Sequence, residues 1–552
     1  MNYRVCIIGL DGATFDLIRP WADAGHLPTL TRLMKEGAWG ELRSTIPPMT
    51  GPAWSTFMTG TNPGKHAIFD WVYRKQDSYD FVPVTAAHSR QPSLWEIASQ
   101  SGKRVLAVNV PMTFPPQSIN GYVVSGLPAT SLATHPPELA AYIREKHQGY
   151  IVYPDPGQAY SDQGIDLFLA TLNQSVEKRL DLWRDLVGRE PWDLAMLVLN
   201  ATDVVQHAMW KFMDPNHPQH NPRKAARYKD TILNIYRKVD GILADLIASM
   251  DRDTVMWIIS DHGFGPLYHF IHVNTWLMRE GFLIIKNNPK SRLKKSLFQL
   301  GVSPMPMYDL LMRIGLGKLK REVVRGGQGQ SLMKSIFLSF DDVDWERTVA
   351  YSFGNIGQVR INLRGREPQG SISPGEEYER VVQEIIERLN QLHDPRNGQQ
   401  AIDHIYRVDE VYSGPATQEA ADILFLPHKL EYFGFGEYEF GDHRTFASLR
   451  HGISATHRMN GICLAYGQPV QSALLNGAKL EDLAPTILYL MGLPIPAQMD
   501  GRLLMEAFSS DANLPPPEYI ASFESKPSTS EGLSSEDEAI LRERLRDLGY
   551  VA

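Results

Sequence analysis

Short apolar runs recur along the chain: Val5–Leu10, Val105–Val110, Leu194–Leu199, Val255–Ile259 and Ile423–Leu426. Each is long enough for a strand and almost free of polar alternation, the pattern of a strand buried on both faces. Helical periodicity separates them, over Thr29–Glu36, Asp166–Val187 and Lys224–Met250. Strands alternating with helices predict an α/β fold with a doubly wound, mostly parallel sheet. In such sheets ligands gather beyond the carboxyl ends of the strands. The polar residues that directly follow each apolar run are therefore the first place to look for chemistry.

Four such places carry acids or imidazoles. Asp11 follows a run in "IIGLDGATF", Asp203 and His207 in "LVLNATDVVQHAMW", and Asp261 and His262 in "WIISDHGFG". His457 precedes one in "HGISATHRMNGICLAYG", where "GICLAYG" reads as a returning strand. Asp203 and His207 are spaced i, i+4 and would share one face of a helix, as two ligands of one metal do. Singly, each has a plain structural reading, since an Asp after a strand is usually a turn or N-cap residue. Together, three aspartates and three histidines form a donor set that Zn²⁺ or Mn²⁺ accepts. Six ligands suffice for two metals with a position left open on each.

A nucleophile is available in "STIPPMTGPAWSTFMTGTNPGKHAIFDW". Pro52 suits the first turn of a helix over Ala53–Met58, which places Thr50 just ahead of a helix N-terminus. Free N–H groups and the helix dipole favour an anion there. The plain alternative makes Thr50 an N-cap. On composition alone Ser44, Thr45, Ser55 and Thr56 compete with it.

The order Asp11, Thr50, Asp203/His207, Asp261/His262, His457 resembles the alkaline phosphatase superfamily. The type I phosphodiesterase and nucleotide pyrophosphatase branch is the nearest match, and within it the predicted phosphohydrolase or phosphomutase proteins. "SDHGFGP", "THRMNGICLAYG" and "LEDLAPTILYLMGLPIPAQMDGRLL" carry the likeness together with the threonine segment, over residues 3 to 508. The resemblance implies an alkaline-phosphatase-type sheet and two divalent metals, Zn²⁺ first and Mn²⁺ second. One would be held by Asp203, His207 and His457, the other by Asp11, Asp261, His262 and the Thr50 oxygen. Thr50 would attack phosphorus and form a phospho-threonine. Phosphodiester or nucleotide-pyrophosphate hydrolysis is the implied activity, with phosphomutase or phosphomonoesterase chemistry as the alternative. A scaffold that binds metal or anion without catalysis is the alternative from another class.

Two departures bear on substrate. Nucleotide pyrophosphatases carry an Asn three residues after the nucleophile, where it binds phosphate; this chain has Ala53. Sulfatases use a Cys or Ser followed by Pro and Arg, a context neither Cys6 nor Cys463 has. His443 and His451 compete with His457 as the last ligand. Trp54, Phe69, Trp71 and Trp210 lie near the expected ligands in sequence and could stack on a leaving group, although burial in the core is their plainer reading.

Composition and charge add the remaining bounds. With 552 residues the chain exceeds one ordinary core. Its 43% apolar and 21% charged residues are those of a globular protein, and a net charge of −8 gives no reason to expect a nucleic-acid polymer as partner. A small phosphate ester or nucleotide is the expected partner. Two cysteines cannot build a disulfide framework. No run reaches the length of a membrane span, and "YRVCIIGLDG" reads as a strand from residue 3 with no leader ahead of it. The expectation is a cytoplasmic protein.

Residues 286–334 hold eleven Lys and Arg against two acids, a net +9 that leaves −17 for the rest. They read as a cap-like insertion: a solvated helical piece first, a basic cap near an anionic substrate or a membrane-surface patch second. The expected catalytic domain is then discontinuous, 1–285 and 335–508. Residues 341–430 either form a smaller α+β portion or resume the main sheet. Residues 509–552 read as a Ser-, Pro- and Glu-rich linker followed by a short helix, with Ser535 and Glu538 as capping box and Gly549 as stop.

Overall fold

The computed structural model describes residues 3–160, 164–307, 335–435, 440–449, 452–512, 514–523 and 538–542. The long strands of the central sheet are β1 (Arg4–Leu10), β2 (Ala38–Arg43), β3 (Val105–Val110), β4 (Gly121–Ser125), β5 (Leu194–Leu199), β6 (Thr254–Ile259) and β9 (Asn460–Tyr466); between β6 and β9, β7 (Gly263–Pro266) and β8 (Ala455–Arg458) pair as a separate two-stranded sheet. Two helices matter most for the site: α1 (Thr50–Thr59) and α2 (Ala201–Met213).

The sheet is ten-stranded, and its long strands run in the order β2–β9–β6–β1–β5–β3–β4. Neighbours from β6 through β4 are parallel; β9 runs antiparallel to both β6 and β2. β3, β5 and β6 are buried along their whole length, as their unbroken apolar sequences require. This is the mixed α/β architecture, with a large mostly parallel sheet, that the pattern predicts. In register, Gly9 of β1 pairs with Val198 of β5 and with Ile259 of β6. Three central strands therefore end at one level, and the residues after them emerge side by side.

Three local expectations change. The run Ile423–Leu426 does not join the central sheet. It lies in a separate four-stranded antiparallel sheet made by Ala350–Tyr351, Gln358–Ile361, Ile402–Arg407 and Ile423–Pro427. The helix Glu376–Asn390 buries Val381, Val382, Ile385 and Leu389 in the same smaller core, so an antiparallel strand here is covered as fully as a parallel one. The helical pattern over Lys224–Met250 resolves into Pro222–Tyr228 and Thr231–Ala248. Third, α1 starts at Thr50, ahead of the expected Ala53, and its N-cap is Met49. Pro52 is accommodated because N–H groups in a helix's first turn have no intrahelical acceptor.

Of the 286–334 insertion, residues 308–334 lie outside the described residues. The described part holds the helix Pro289–Gln299, whose Phe298 packs into the smaller core. Ser535 and Gly549 of the expected C-terminal helix also lie outside the described residues, as does His451. No helix among the described residues is long and apolar enough to cross a membrane.

One buried carboxylate ties the smaller sheet to the main one. Asp70 accepts hydrogen bonds from the backbone N–H groups of Trp71 (2.6 Å) and Asn355 (2.9 Å) and from the Gln358 amide (2.6 Å). Gly354 turns the receiving loop with φ of 77°, and a Cβ there would fall on the Asp70 carboxylate. Burial pushes the Asp70 carboxyl up to about 6 in spite of these donors. The folded state therefore holds more protons than the unfolded state between about pH 4 and 6, and stability falls as pH rises through that window. Asp70→Asn removes this slope, worth on the order of 3 kcal/mol. Urea midpoints of both proteins across the window check it: parallel profiles would refute the assignment.

Candidate functional site

The site forms where β1, β5 and β6 end. Asp11 follows β1, and its backbone N–H donates to Leu199 O at 3.2 Å, which fixes it against the end of β5. Gly12 turns the chain away with φ of 66°; a Cβ there would stand 2.8 Å from the Phe264 ring and 3.2 Å from the Asp203 backbone. Asp203 lies in the first turn of α2, where a carboxylate suits the helix dipole. His207 follows one turn on. Asp261 and His262 leave β6 directly. β8 brings in His457 by pairing antiparallel with β7, in the register Phe264 to His457.

All seven residues expected from the sequence meet here, and all are buried. His207 Nε2 lies 3.3 Å from Asp203 Oδ1, and His457 Nε2 lies 3.6 Å from the same oxygen and 3.3 Å from His207 Nε2. In the adjoining group His262 Nε2 lies 3.2 Å from Asp261 Oδ2, 3.7 Å from Asp11 Oδ1 and 3.2 Å from Thr50 Oγ1. The His262 and His457 rings stack at 3.5 Å between centroids and form the wall common to both groups. Donor atoms of Asp203, His262 and His457, and of Asp11, Asp261 and His262, fall within 4.8 Å of one another.

The protonation pattern follows from the second layer of contacts. His207 Nδ1 meets Ala455 O at 2.9 Å, His262 Nδ1 meets Gly263 O at 3.1 Å, and His457 Nδ1 meets Pro48 O at 2.8 Å. A carbonyl only accepts, so each Nδ1 carries a proton and each Nε2 faces the cluster. Burial, reinforced by His457, holds the His262 imidazole well below its usual range, and burial lowers His457 as well.

The carboxylates complete the test. Asp11 Oδ1, Asp203 Oδ1 and Asp261 Oδ2 are buried without a hydrogen-bond donor. Burial, then the charges of Asp261 and Asp203, push the Asp11 carboxyl well above the usual range; burial and Asp203 do the same to Asp261. Burial opposes ionisation of Asp203 too, but His207 and His457 outweigh it and hold that carboxyl far below the usual range. Inward carboxylate oxygens without a donor, beside inward Nε2 atoms, are a donor set that divalent cations accept.

Thr50 stands apart from the neighbouring hydroxyls. Thr45 Oγ1 donates to Pro47 O, Ser55 Oγ to Gly51 O, and Thr56 Oγ1 pairs with His66. With Met49 as N-cap, Thr50 is no cap but the first residue of α1, its hydroxyl on His262. His443 sits instead beside Asp442, 28% exposed, away from the cluster. Trp54, Trp71 and Trp210 are buried core residues, and Phe69 packs against the core.

Sequence reading missed Tyr153, whose hydroxyl lies 3.2 Å from the outer oxygen of Asp203 and orients it. Fifty residues separate the two, and nothing in "YIVYPDPG" marks the contact. Arg458 was missed as well. Its half-buried guanidinium donates to Leu430 O (2.8 Å), His457 O (3.0 Å) and Pro266 O (2.5 Å), which pins β7 and β8 in the register that places His457.

A family model for type I phosphodiesterase / nucleotide pyrophosphatase matches residues 5–437. Six of the seven site residues fall inside that span; His457 lies beyond it. No curated protein matches the chain. Among solved structures, phosphonoacetate hydrolase from Sinorhizobium meliloti in complex with phosphonoacetate is similar with a TM-score of 0.50 at 15% identity, over 89% of this chain and 96% of that one. Murine ectonucleotide pyrophosphatase / phosphodiesterase 5 in complex with AMP gives 0.49 at 11% identity, over 92% and 100%. A mutant of alkaline phosphatase PafA gives 0.47 at 12% identity, over 92% and 99%. With most of its length matched, the chain belongs to the type I phosphodiesterase / nucleotide pyrophosphatase family and is a phosphoester hydrolase.

Proposed function

We propose that the protein hydrolyses phosphodiester or nucleotide-pyrophosphate bonds at a two-metal site, with Thr50 as nucleophile. The observation that carries this reading is the convergence of three orphaned carboxylate oxygens and three inward Nε2 atoms beside the Thr50 hydroxyl. Asp203, His207 and His457 would hold one cation; Asp11, Asp261, His262 and Thr50 Oγ1 the other. Zn²⁺ is the first choice and Mn²⁺ the second, since both accept mixed oxygen and imidazole donors. When bound, such cations would offset the buried negative charge, acidify the hydroxyl and neutralise charge developing on the phosphoryl oxygens.

The chain's own residues do the positioning. The Thr50 hydroxyl gives up its proton to solvent, its Oγ attacks phosphorus in line, the P–O bond to the leaving group breaks, and the electron pair of that bond goes to the leaving oxygen. Water then attacks the phospho-threonine, and Thr50 departs with a proton. At the N-terminus of α1 the backbone N–H groups of the first turn lie beside the nucleophile and suit the phosphoryl oxygens. Ala53, fully buried, offers no side-chain amide, so recognition of phosphate falls on these groups and the cations.

The test is a trap. Acid quenching during turnover of a diester labelled at phosphorus should leave label on Thr50, transferred afterwards to water. Label on another residue, or none at all during rapid turnover, would overturn the proposed intermediate. Transfer to an added alcohol or sugar in preference to water would make the enzyme a mutase.

A further inference from the structure

We infer that the solvent face of the helix Pro289–Gln299 is a docking surface for an anionic lipid bilayer. The inner face is fully engaged: Ser291, Lys294 and Phe298 are buried. Ser291 Oγ (2.7 Å) and Lys294 Nζ (2.8 Å) both bond the Asp342 carboxylate, and Phe298 meets the edge of Phe440. The outer face should then be polar, as on any helix packed on one side. It is not. Leu293 is 62% exposed and Leu300, at the C-cap, 81%. With the half-buried Leu297 they follow the i, i+4, i+7 spacing and form one outward stripe.

Basic side chains flank that stripe. Lys286, Lys290 and Arg292 are exposed and Lys295 half-exposed. From 286 to 307 the sequence holds five Lys and Arg and no acid. Of the acids packed nearby, Asp342 is consumed by Lys294 on the inner face, and the exposed Asp341 adjoins Lys286, which bonds its carbonyl. The surface thus combines leucines standing out from a convex helix with cations that have no ion-pair partner among the described residues. An acidic protein would match the charge and leave the leucines wet. The interface of an anionic bilayer satisfies both, taking leucines at the acyl boundary and cations at the phosphates.

Flotation of the full-length protein with vesicles tests this. It should rise with phosphatidylcholine vesicles containing phosphatidylglycerol, not with phosphatidylcholine alone. The triple variant Lys290→Gln, Arg292→Gln, Lys295→Gln should weaken binding roughly a hundredfold, since one basic side chain near an anionic surface is worth roughly fivefold. Leu293→Ser with Leu300→Ser should weaken it as well, and both variants should keep the turnover of a soluble diester. Failure to float with anionic vesicles, equal binding to neutral ones, or indifference to either variant would overturn the inference. Binding to immobilised polyglutamate that survives Leu293→Ser with Leu300→Ser, with no flotation on anionic vesicles, would assign the face to an acidic protein instead. None of these outcomes touches the assignment of Thr50.

Discussion

Thr50→Ala should lose turnover of bis-p-nitrophenyl phosphate by on the order of ten-thousandfold, the scale on which losing a nucleophile acts. The substitution is structurally mild. Thr50 is the first helical residue rather than the cap, and alanine is a better helix former than threonine. Its Oγ1 is one donor beside His262, Asp11 and Asp261, so the variant should bind metal nearly as wild type does. A melting temperature and metal content close to wild type, with activity gone, would separate chemistry from folding. Thr50→Ser keeps the hydroxyl and should retain measurable turnover. Full activity in the alanine variant would end the nucleophile assignment, and Ser44, whose buried hydroxyl lies in the same loop, would become the residue to test.

Chelation should abolish activity and lower the melting temperature by several degrees. The cause is electrostatic. Three carboxylates are crowded into one buried cluster, and burial with the charge of Asp203 already drives Asp11 and Asp261 toward their neutral forms. Ligands that bind only the folded state stabilise it by mass action, about 2.7 kcal/mol per site at a hundredfold excess over Kd. Zn²⁺ and Mn²⁺ restored one at a time to the stripped protein should recover both stability and turnover, and two equivalents should be needed. A stripped protein that melts unchanged and stays active would remove the two-metal reading and leave the family membership standing.

Much of the site was legible because its acids are placed by local rules. Asp11 and Asp261 stand one or two residues past apolar runs, and Asp203 and His207 share a helix face by spacing alone. The residues that could not be read were those fixed by contact at a distance. Tyr153 reaches Asp203 through a loop, and Arg458 acts through carbonyls, which carry no sequence signature. The choice of His457 over His443 rested on the strand that follows it, which is β9; the structure places His457 beside Asp203 and leaves His443 beside Asp442. The misplaced run Ile423–Leu426 shows the limit of the same logic. A buried strand looks alike in a parallel sheet and in an antiparallel one covered by a helix such as Glu376–Asn390.

The sequence by itself determined the α/β class, the central strands and the positions from which the clustered acids leave them. These depend on patterns among residues close together in the chain, and burial on both faces demands an apolar run whatever its neighbours are. Only the tertiary structure decided strand order, the pairing that carries His457 across to Asp203, and which of five hydroxyls meets His262. Those outcomes depend on which surfaces pack together, a property of the whole chain that no single stretch encodes.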